Sequence, residues 1–369
     1  MFNYYFKQNS NLLQIFFLLP LLILIIGCNK NRNIQTGAIL TFKKELYTEI
    51  LNTDISSKKV IIPLEFNEYS LIDNNSSIKK DGKDLFIYNR NKANPVLHFD
   101  MDGNFLNTIG SVGLGPNEFT EILDVIVDEN NSTIEILSYN SIIFFSYSGK
   151  PFKTEKIDIP ASSFTKENDY YWFYIGNDIT YSKYRLFQTD DKFNIINNYL
   201  SDKSNMLPIM EYNFRQSPFN TFRESFFNNI YNINGDSLTM SYTVKFPGME
   251  FPDYAHNLHP LEVVQYLKQQ HYASIMCYLE NDNYIYMQIM ECETNASIKY
   301  YHWIINKNNN QEKIIRTGFI IDSYLSSPQL LTKDNKLYFL GYPIETEEEY
   351  IDPNTNPSLV IINLSQLFE

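Results

Sequence analysis

The chain reads as an all-β protein, a six-bladed β-propeller of four-stranded antiparallel blades whose ring is closed by an N-terminal strand joining the last blade. Three observations carry that reading. A polar turn followed by a strand of aromatic and β-branched residues recurs six times, at residues 81–88, 129–136, 166–173, 232–239, 280–287 and 332–339. With Leu85, Ile134, Trp172, Leu238, Ile285 and Leu337 taken as equivalents, the intervals are 49, 38, 66, 47 and 52 residues, around the roughly 40–50 that one four-stranded blade occupies. Aromatic residues make up 15% of the chain, with 28 Tyr and 27 Phe, which suits sheets packed face to face.

The N-terminus is a targeting segment. No charge interrupts the stretch between Lys7 and Lys30, and residues 15–26 are apolar throughout. That run is shorter than the about 20 residues a membrane-spanning helix needs and contains Pro20, so residues 1–27 are a signal peptide and not part of the fold. Ile25, Ile26, Gly27 and Cys28 together resemble a bacterial lipobox. The resemblance implies cleavage before Cys28 and acylation, as by palmitate, of its thiol. The competing reading is an uncleaved anchor helix; either one places the rest of the chain outside the cytoplasm. Residues 28–45 are polar and lack periodicity, as a tether does, and residues 46–369 form the propeller.

The apolar run 59–64 lies far upstream of the first hairpin and needs a partner. The C-terminal run 358–364 is its mate, and their pairing closes the ring and hides sheet edges that invite aggregation. The 66-residue interval locates one insertion, at 201–221, and residues 247–272 hold a second, in which 260–270 reads as a helix with Pro260 at its first position and Asn257 as a nearby cap. Between blades 1 and 2, Gly113 and Gly115 allow positive φ and Pro116 fixes the next turn, while Phe119 packs between blades. Glu118 either locks this linker or faces the ring entrance as a ligand group. Neither a Lys-Ser/Thr pair nor a helix start follows, as a phosphate-binding loop requires.

Net charge is −13, from 43 acids and 30 bases, so nucleic acid is excluded as a partner on electrostatic grounds. The five histidines, at 98, 256, 259, 271 and 302, form no zinc motif, and no nucleophile elbow is present. Cys277 and Cys292 flank the turn at 281–283. An antiparallel register about that turn sets Cys277 opposite Met287 and Cys292 opposite Tyr272, too far apart for a disulfide; a bulge would alter the pairing.

Residues 102–119, continuing through 124–128 to 145–149, resemble an NHL-type propeller repeat. Residues 227–238 with 242–247, and 274–280 after them, are similar to blades of the six-bladed β-propeller lipoproteins of Bacteroidota. The chain departs from that family where Phe246 and Pro247 stand for Phe-Gly, and where the last blade lacks an Asn-Asp segment. The resemblance implies an exported lipoprotein at the outer membrane, and the absence of acids in residues 29–33 favours its periplasmic face.

Two functional readings follow. The first is a non-catalytic binding or scaffold module for a glycan or envelope protein, needing no cofactor. Its surface is Tyr212, Phe214, Arg215 and Arg223 around the first insertion with Phe251, Tyr254 and His259 in the second, since aromatics and Arg dominate binding hot spots and aromatic faces stack on sugars. With blades 3–5 consecutive, the two insertions lie side by side if they share a face. The alternative is a divalent-metal hydrolase or lactonase, because related six-bladed rings hold a cation in the channel; Asp124, Glu224, Asn228 and Asn229 are then the ligands, for calcium. The acidic loop at 345–352 is either a calcium site or a solvated turn.

Overall fold

The computed structural model describes residues 37–48, 58–73, 76–176, 181–201, 213–294, 297–316, 323–325, 328–343 and 355–369. Residues 1–28 and the acidic loop lie outside them. Six sheets form a six-bladed propeller. Blade 1 comprises Ser77–Asp81, Asp84–Tyr88, Val96–Asp100 and Phe105–Ile109; blade 2, Asp124–Asp128, Thr133–Ser138, Ser141–Ser146 and Pro151–Lys156; blade 3, Ser163–Glu167, Tyr170–Tyr174, Leu186–Thr189 and Ile195–Tyr199. Blade 4 has three consecutive strands, Thr221–Arg223, Asn229–Asn234 and Ser237–Lys245; blade 5 has Tyr272–Glu280, Tyr284–Cys292, Ile298–Asn306 and Glu312–Arg316. In blade 6, Ser323–Leu325 and Leu330–Leu331 pair with Lys336–Pro343, which pairs with Ser358–Asn363.

The repeated turns owe their composition to backbone conformation. Gly82, Ser132, Asn168, Gly235 and Asn335 have φ between 49° and 65°, a left-handed region that costs Gly nothing and Asn little. In five blades this turn joins the first strand to the second, so all these turns lie at one end of the ring, called here the hairpin end; the links between blades lie at the other.

Blade 4 differs, and Leu238 is not the equivalent of Leu85. Its turn at 235–236 joins the second strand to the third. The reason is strand parity. Asn220, entering the innermost strand, donates to the Lys166 carbonyl at 3.3 Å, at the hairpin end of blade 3. Glu224, leaving it, accepts from Tyr174 and Arg185 at the linker end. The strand therefore runs opposite to the innermost strands of its neighbours. Ahead of it the chain ascends the centre of the ring: Asn213 Nδ2 donates to the Arg223 carbonyl at 3.0 Å, and Gln216 forms a parallel bridge to Leu330 of blade 6. This ascent takes the place of a first strand, so three strands with inverted sense complete the blade.

The vacant outer position is filled from the N-terminus. Ala38–Thr41 runs parallel to Ser237–Lys245, with Ala38 opposite Tyr242 and Thr41 opposite Lys245. Tyr47–Thr48 then adds a fifth, parallel strand to blade 5, and Lys59–Pro63 pairs antiparallel with Ser358–Asn363, Lys59 opposite Ile362 and Pro63 opposite Ser358. Closure is as expected, whereas a tether reaching to residue 45 is not: from Ala38 onward that stretch is part of the sheets. Four residues pairing by backbone along an outer edge leave no periodic signature. Phe42 anchors them, 2% exposed among Phe246, Tyr301 and Trp303. On the closing strand Leu64 is buried, but Val60 and Ile61 are 56% and 48% exposed at the outer edge, where Lys59 and Pro63 flank them and discourage further pairing.

Apolar side chains fill the spaces between blades: Phe86, Val125 and Ile136 between blades 1 and 2, Leu137, Phe164 and Phe173 between 2 and 3, Val244, Met287 and Trp303 between 4 and 5. Cys277 and Cys292 are buried thiols, not joined in a disulfide. Cys292 stands opposite Tyr272, but a bulge at Ile275–Cys277 moves Cys277 opposite Gln288 instead of Met287. The anticipated helix is Pro260–Leu267, preceded by a 3-10 turn at Asp253–Asn257.

Candidate functional site

Two neighbouring hollows open at the hairpin end of the ring. One, of about 420 Å³, lies over the channel and is lined by Lys80, Glu129, Gln216, Ser217, Asp334 and Tyr338 among others. The second, of about 600 Å³, runs between blades 2 and 3 past Asp128, Asn130, Asn131, Lys166 and Asn168. Glu129 borders both. Their size suits small polar ligands, since binding pockets occupy roughly 300–1,000 Å³. Their walls exist because short hairpins end in Asn, Asp and Lys, whose side chains stand up around the opening.

The floor of the second hollow is a hydrogen-bonded network. Lys166 lies 3.2 Å from Asp128 and 3.4 Å from Glu135, and Tyr171 donates to Glu135 at 2.8 Å. Burial raises the pKa of Glu135 despite Lys166 and Tyr171. Burial pulls on Asp128 as well, but hydrogen bonds from Asn131 and Lys166 outweigh it and hold this carboxyl below its usual range. Asp128 also accepts the backbone N–H groups of Asn130 and Asn131, which fixes the turn that presents them. Glu129 has its pKa raised by burial and then by Asp81, and Tyr147 donates to Asp81 at 2.5 Å. The arrangement offers alternating donors and acceptors, with no nucleophile and base paired among the described residues.

The residues singled out from sequence are only partly brought together. Cys28 and Tyr212 lie outside the described residues. Phe214 is 3% exposed against Phe222, and Phe251 is 6% exposed against Phe226, Tyr272 and His256. Neither offers surface to a partner; both pack their segments onto the ring. Arg223 is buried and donates to the Met276 carbonyl; Arg215, half-buried, donates to Gln329 at 3.1 Å. Tyr254 is 63% exposed, edge-on to Tyr266, and His259 is exposed. Of the first insertion, residues 213–217 run along the centre of the ring, and 247–271 links blades 4 and 5 at the linker end; residues 202–212 lie outside the described residues.

Three of the four metal-ligand candidates are occupied by protein groups. Asp124 accepts from Tyr88 at 3.0 Å, Ser163 at 2.6 Å and the N–H groups of Val125 and Phe164. Arg185 grips Glu224 with two bonds, 2.6 and 3.0 Å. Asn229 Oδ1 accepts from Thr243; Asn228 gives only its backbone carbonyl to Val244, and its buried side-chain oxygen has no hydrogen-bond partner among the described residues. Among the described residues no group of three His, Cys, Asp or Glu is placed to hold a metal. Glu118 has the structural role, accepting the Gly115 N–H at 2.8 Å; a Cβ on Gly113 would meet its carboxylate at 2.0 Å. The mouth residues Lys80, Glu129, Gln216 and Lys166 were missed in sequence, although three of them stand within or beside the repeated turns.

The fold and this opening define a six-bladed propeller in which residues 213–217 run along the centre of the ring and whose polar mouth is an accessible concave surface. The chain belongs to the family described as "Domain of unknown function (DUF4934)", whose pattern it matches over residues 40–367. Among solved structures it is similar to a protein of Bacteroides fragilis NCTC 9343 named as an exported protein, at 15% identity and a TM-score of 0.70, over 88% of this chain and 99% of that one. It is also similar to a member of the duf4221 family from Bacteroides vulgatus ATCC 8482, at 12% identity and a TM-score of 0.53, over 83% of this chain and 96% of that one. These likenesses show the fold. A comparison with curated proteins finds no match. Among the described residues no helix is long and apolar enough to cross a membrane.

Proposed function

We propose that the protein is a cell-envelope lipoprotein that binds a glycan through the mouth of its propeller. The observation that carries this reading is the pair of hollows that share Glu129 and are lined by hydrogen-bonding side chains. Sugars are recognised by such convergent donors and acceptors. The B. fragilis protein named as exported supports the envelope assignment, as does the lipobox-like sequence ending at Cys28. An outer-membrane position on the periplasmic face, reached through the lipid, remains part of the proposal. Exposed Tyr254 and His259 at the other end are a further contact for an envelope protein. The calcium-dependent hydrolase or lactonase draws no support from Asp124 and Glu224, whose oxygens are already bonded.

An array of di- to hexasaccharides probed with the intact protein tests the binding role. Hits are expected, and Glu129→Ala and Asn131→Ala should weaken them by about tenfold, the loss of one or two hydrogen bonds. An array without hits, together with retention by envelope proteins through Tyr254, would move the function to the other face. Incorporation of labelled palmitate by the parent but not by Cys28→Ser tests the anchor.

A further inference from the structure

The two ends of the ring differ in what they expose. At the hairpin end, no turn among the described residues carries an exposed large apolar side chain. The linker end carries several. Tyr69 and Leu71 stand on the link from blade 6 to blade 1, Val112 and Leu114 on the link from blade 1 to blade 2, Tyr139 on the turn between the second and third strands of blade 2, and Tyr181 between the same strands of blade 3. Leu114 is 93% exposed and Tyr139 70%. An apolar side chain left in water forgoes the stabilisation of burial, so a set confined to one end marks a surface that another body covers.

Their arrangement bears on what that body is. The six side chains stand on four separate loops along the arc of blades 1–3, and both hollows lie at the opposite end. Tyr254, on the link from blade 4 to blade 5, lies beyond this arc. A protein partner needs a closely packed core of contacts, whereas a bilayer accepts anchors scattered over a broad face. Three of the six are Tyr, whose ring has an apolar body and a polar tip and settles at the level of lipid headgroups. The chain supplies the reach. Ten residues lead from Cys28 to Ala38, at most about 35 Å of chain. Ala38 stands opposite Tyr242, three residues before that strand ends at Lys245 at the linker end, a remaining distance of about 10 Å.

We infer that the linker end, along blades 1–3, lies on lipid headgroups and turns the mouth away from the membrane. The inference rests on the lipid anchor proposed at Cys28, and it gives the mouth a direction, toward ligands in solution and away from the bilayer that holds the protein.

Flotation of the intact lipoprotein with phosphatidylcholine vesicles tests this, with an environment-sensitive fluorophore attached at Leu114→Cys, Tyr139→Cys or Asn131→Cys and a spin-labelled phosphatidylcholine as quencher. Cys277 and Cys292 are buried, so the label goes to the introduced thiol. The Leu114 and Tyr139 probes should shift their emission to the blue and lose intensity to the quencher, while the Asn131 probe, at the mouth, does neither. Protein that floats with its Leu114 and Tyr139 probes as unquenched as the Asn131 probe overturns the inference, leaves the anchor standing and gives this face to a protein partner. Quenching of the Asn131 probe alone overturns it too. Protein that does not float has no anchor, and the contact falls with it.

Discussion

Gln216 and Lys80 exchange a reciprocal pair of hydrogen bonds: the Lys80 N–H donates to Gln216 Oε1 at 2.8 Å, and Gln216 Nε2 donates to the Lys80 carbonyl at 2.6 Å. One side chain thus completes the exposed peptide edge of the innermost strand of blade 1, as a partner strand would. It also fastens the segment crossing the channel. Gln216→Ala leaves two backbone groups without partners in a confined space and should destabilise the protein by about 2 kcal/mol. Urea denaturation of parent and variant checks this; superimposable transitions would mean that the segment is held elsewhere.

Between blades 3 and 4, where the inverted strand replaces the usual neighbour, the Arg185–Glu224 pair is buried, with side chains 7% and 3% exposed. Removing one partner strands the other charge, so Glu224→Gln or Arg185→Met should each cost about 3–5 kcal/mol. The double variant should cost less than the two single effects added together. A thermal-unfolding double-mutant cycle reads this coupling, and simple additivity would show that the pair contributes nothing as a pair.

Acid should loosen the N-terminal segment first at Glu291. This carboxylate accepts from Lys44 at 2.5 Å, His271 at 2.8 Å and Tyr301 at 2.7 Å. Burial pulls its pKa upward, but the three donors outweigh burial and hold it at about 2, from 4.5. A folded pKa below the unfolded one means stability that is complete above about pH 4.5 and lost as pH falls toward 2. Glu291→Gln should therefore cost about 2 kcal/mol at pH 7, a value discounted for the half-exposed Lys44, and flatten the melting temperature between pH 5 and 2. Parallel acid profiles for parent and variant would contradict this.

Deleting residues 59–64 should give insoluble or strongly destabilised protein. The loss removes buried Leu64 from the packing between blades 6 and 1 and bares the paired edge of Ser358–Asn363. Solubility and melting equal to the parent's would show that ring closure does not depend on this strand.

The blade count was legible because five of the six repeated turns hold a residue at positive φ, Gly82, Ser132, Asn168, Gly235 and Asn335, and that need writes small polar residues at blade-length intervals. Lys59–Pro63 was legible too, being too apolar to stand alone. Ala38–Thr41 was not, since a four-residue edge strand borrows its register from Tyr242–Lys245, about 200 residues away in sequence. The polarity of blade 4 was hidden for a related reason: nothing in residues 213–217 distinguishes a strand in a blade from one standing in a channel. Cys277 shifted by one position because bulges follow local twist, which turn counting does not see. Phe214 and Phe251 were read as exposed hot spots, but an aromatic in a long insertion serves equally well to seat that insertion, and these two do so.

The N-terminal strands set the order in which this molecule can be completed. Segments synthesised first, at Ala38, Tyr47 and Lys59, find their partners at Tyr242, Ile314 and Ile362. Blades 1–3 draw every strand from consecutive sequence and can assemble as they emerge. Blades 4 and 5 take an outer strand from the N-terminal segment, and blade 6 joins strands from both ends of the fold, so their contact order is high and ring closure is the slow step. Until then three neighbouring sheets stand with bare outer edges, and the chain passes through that interval before becoming a ring.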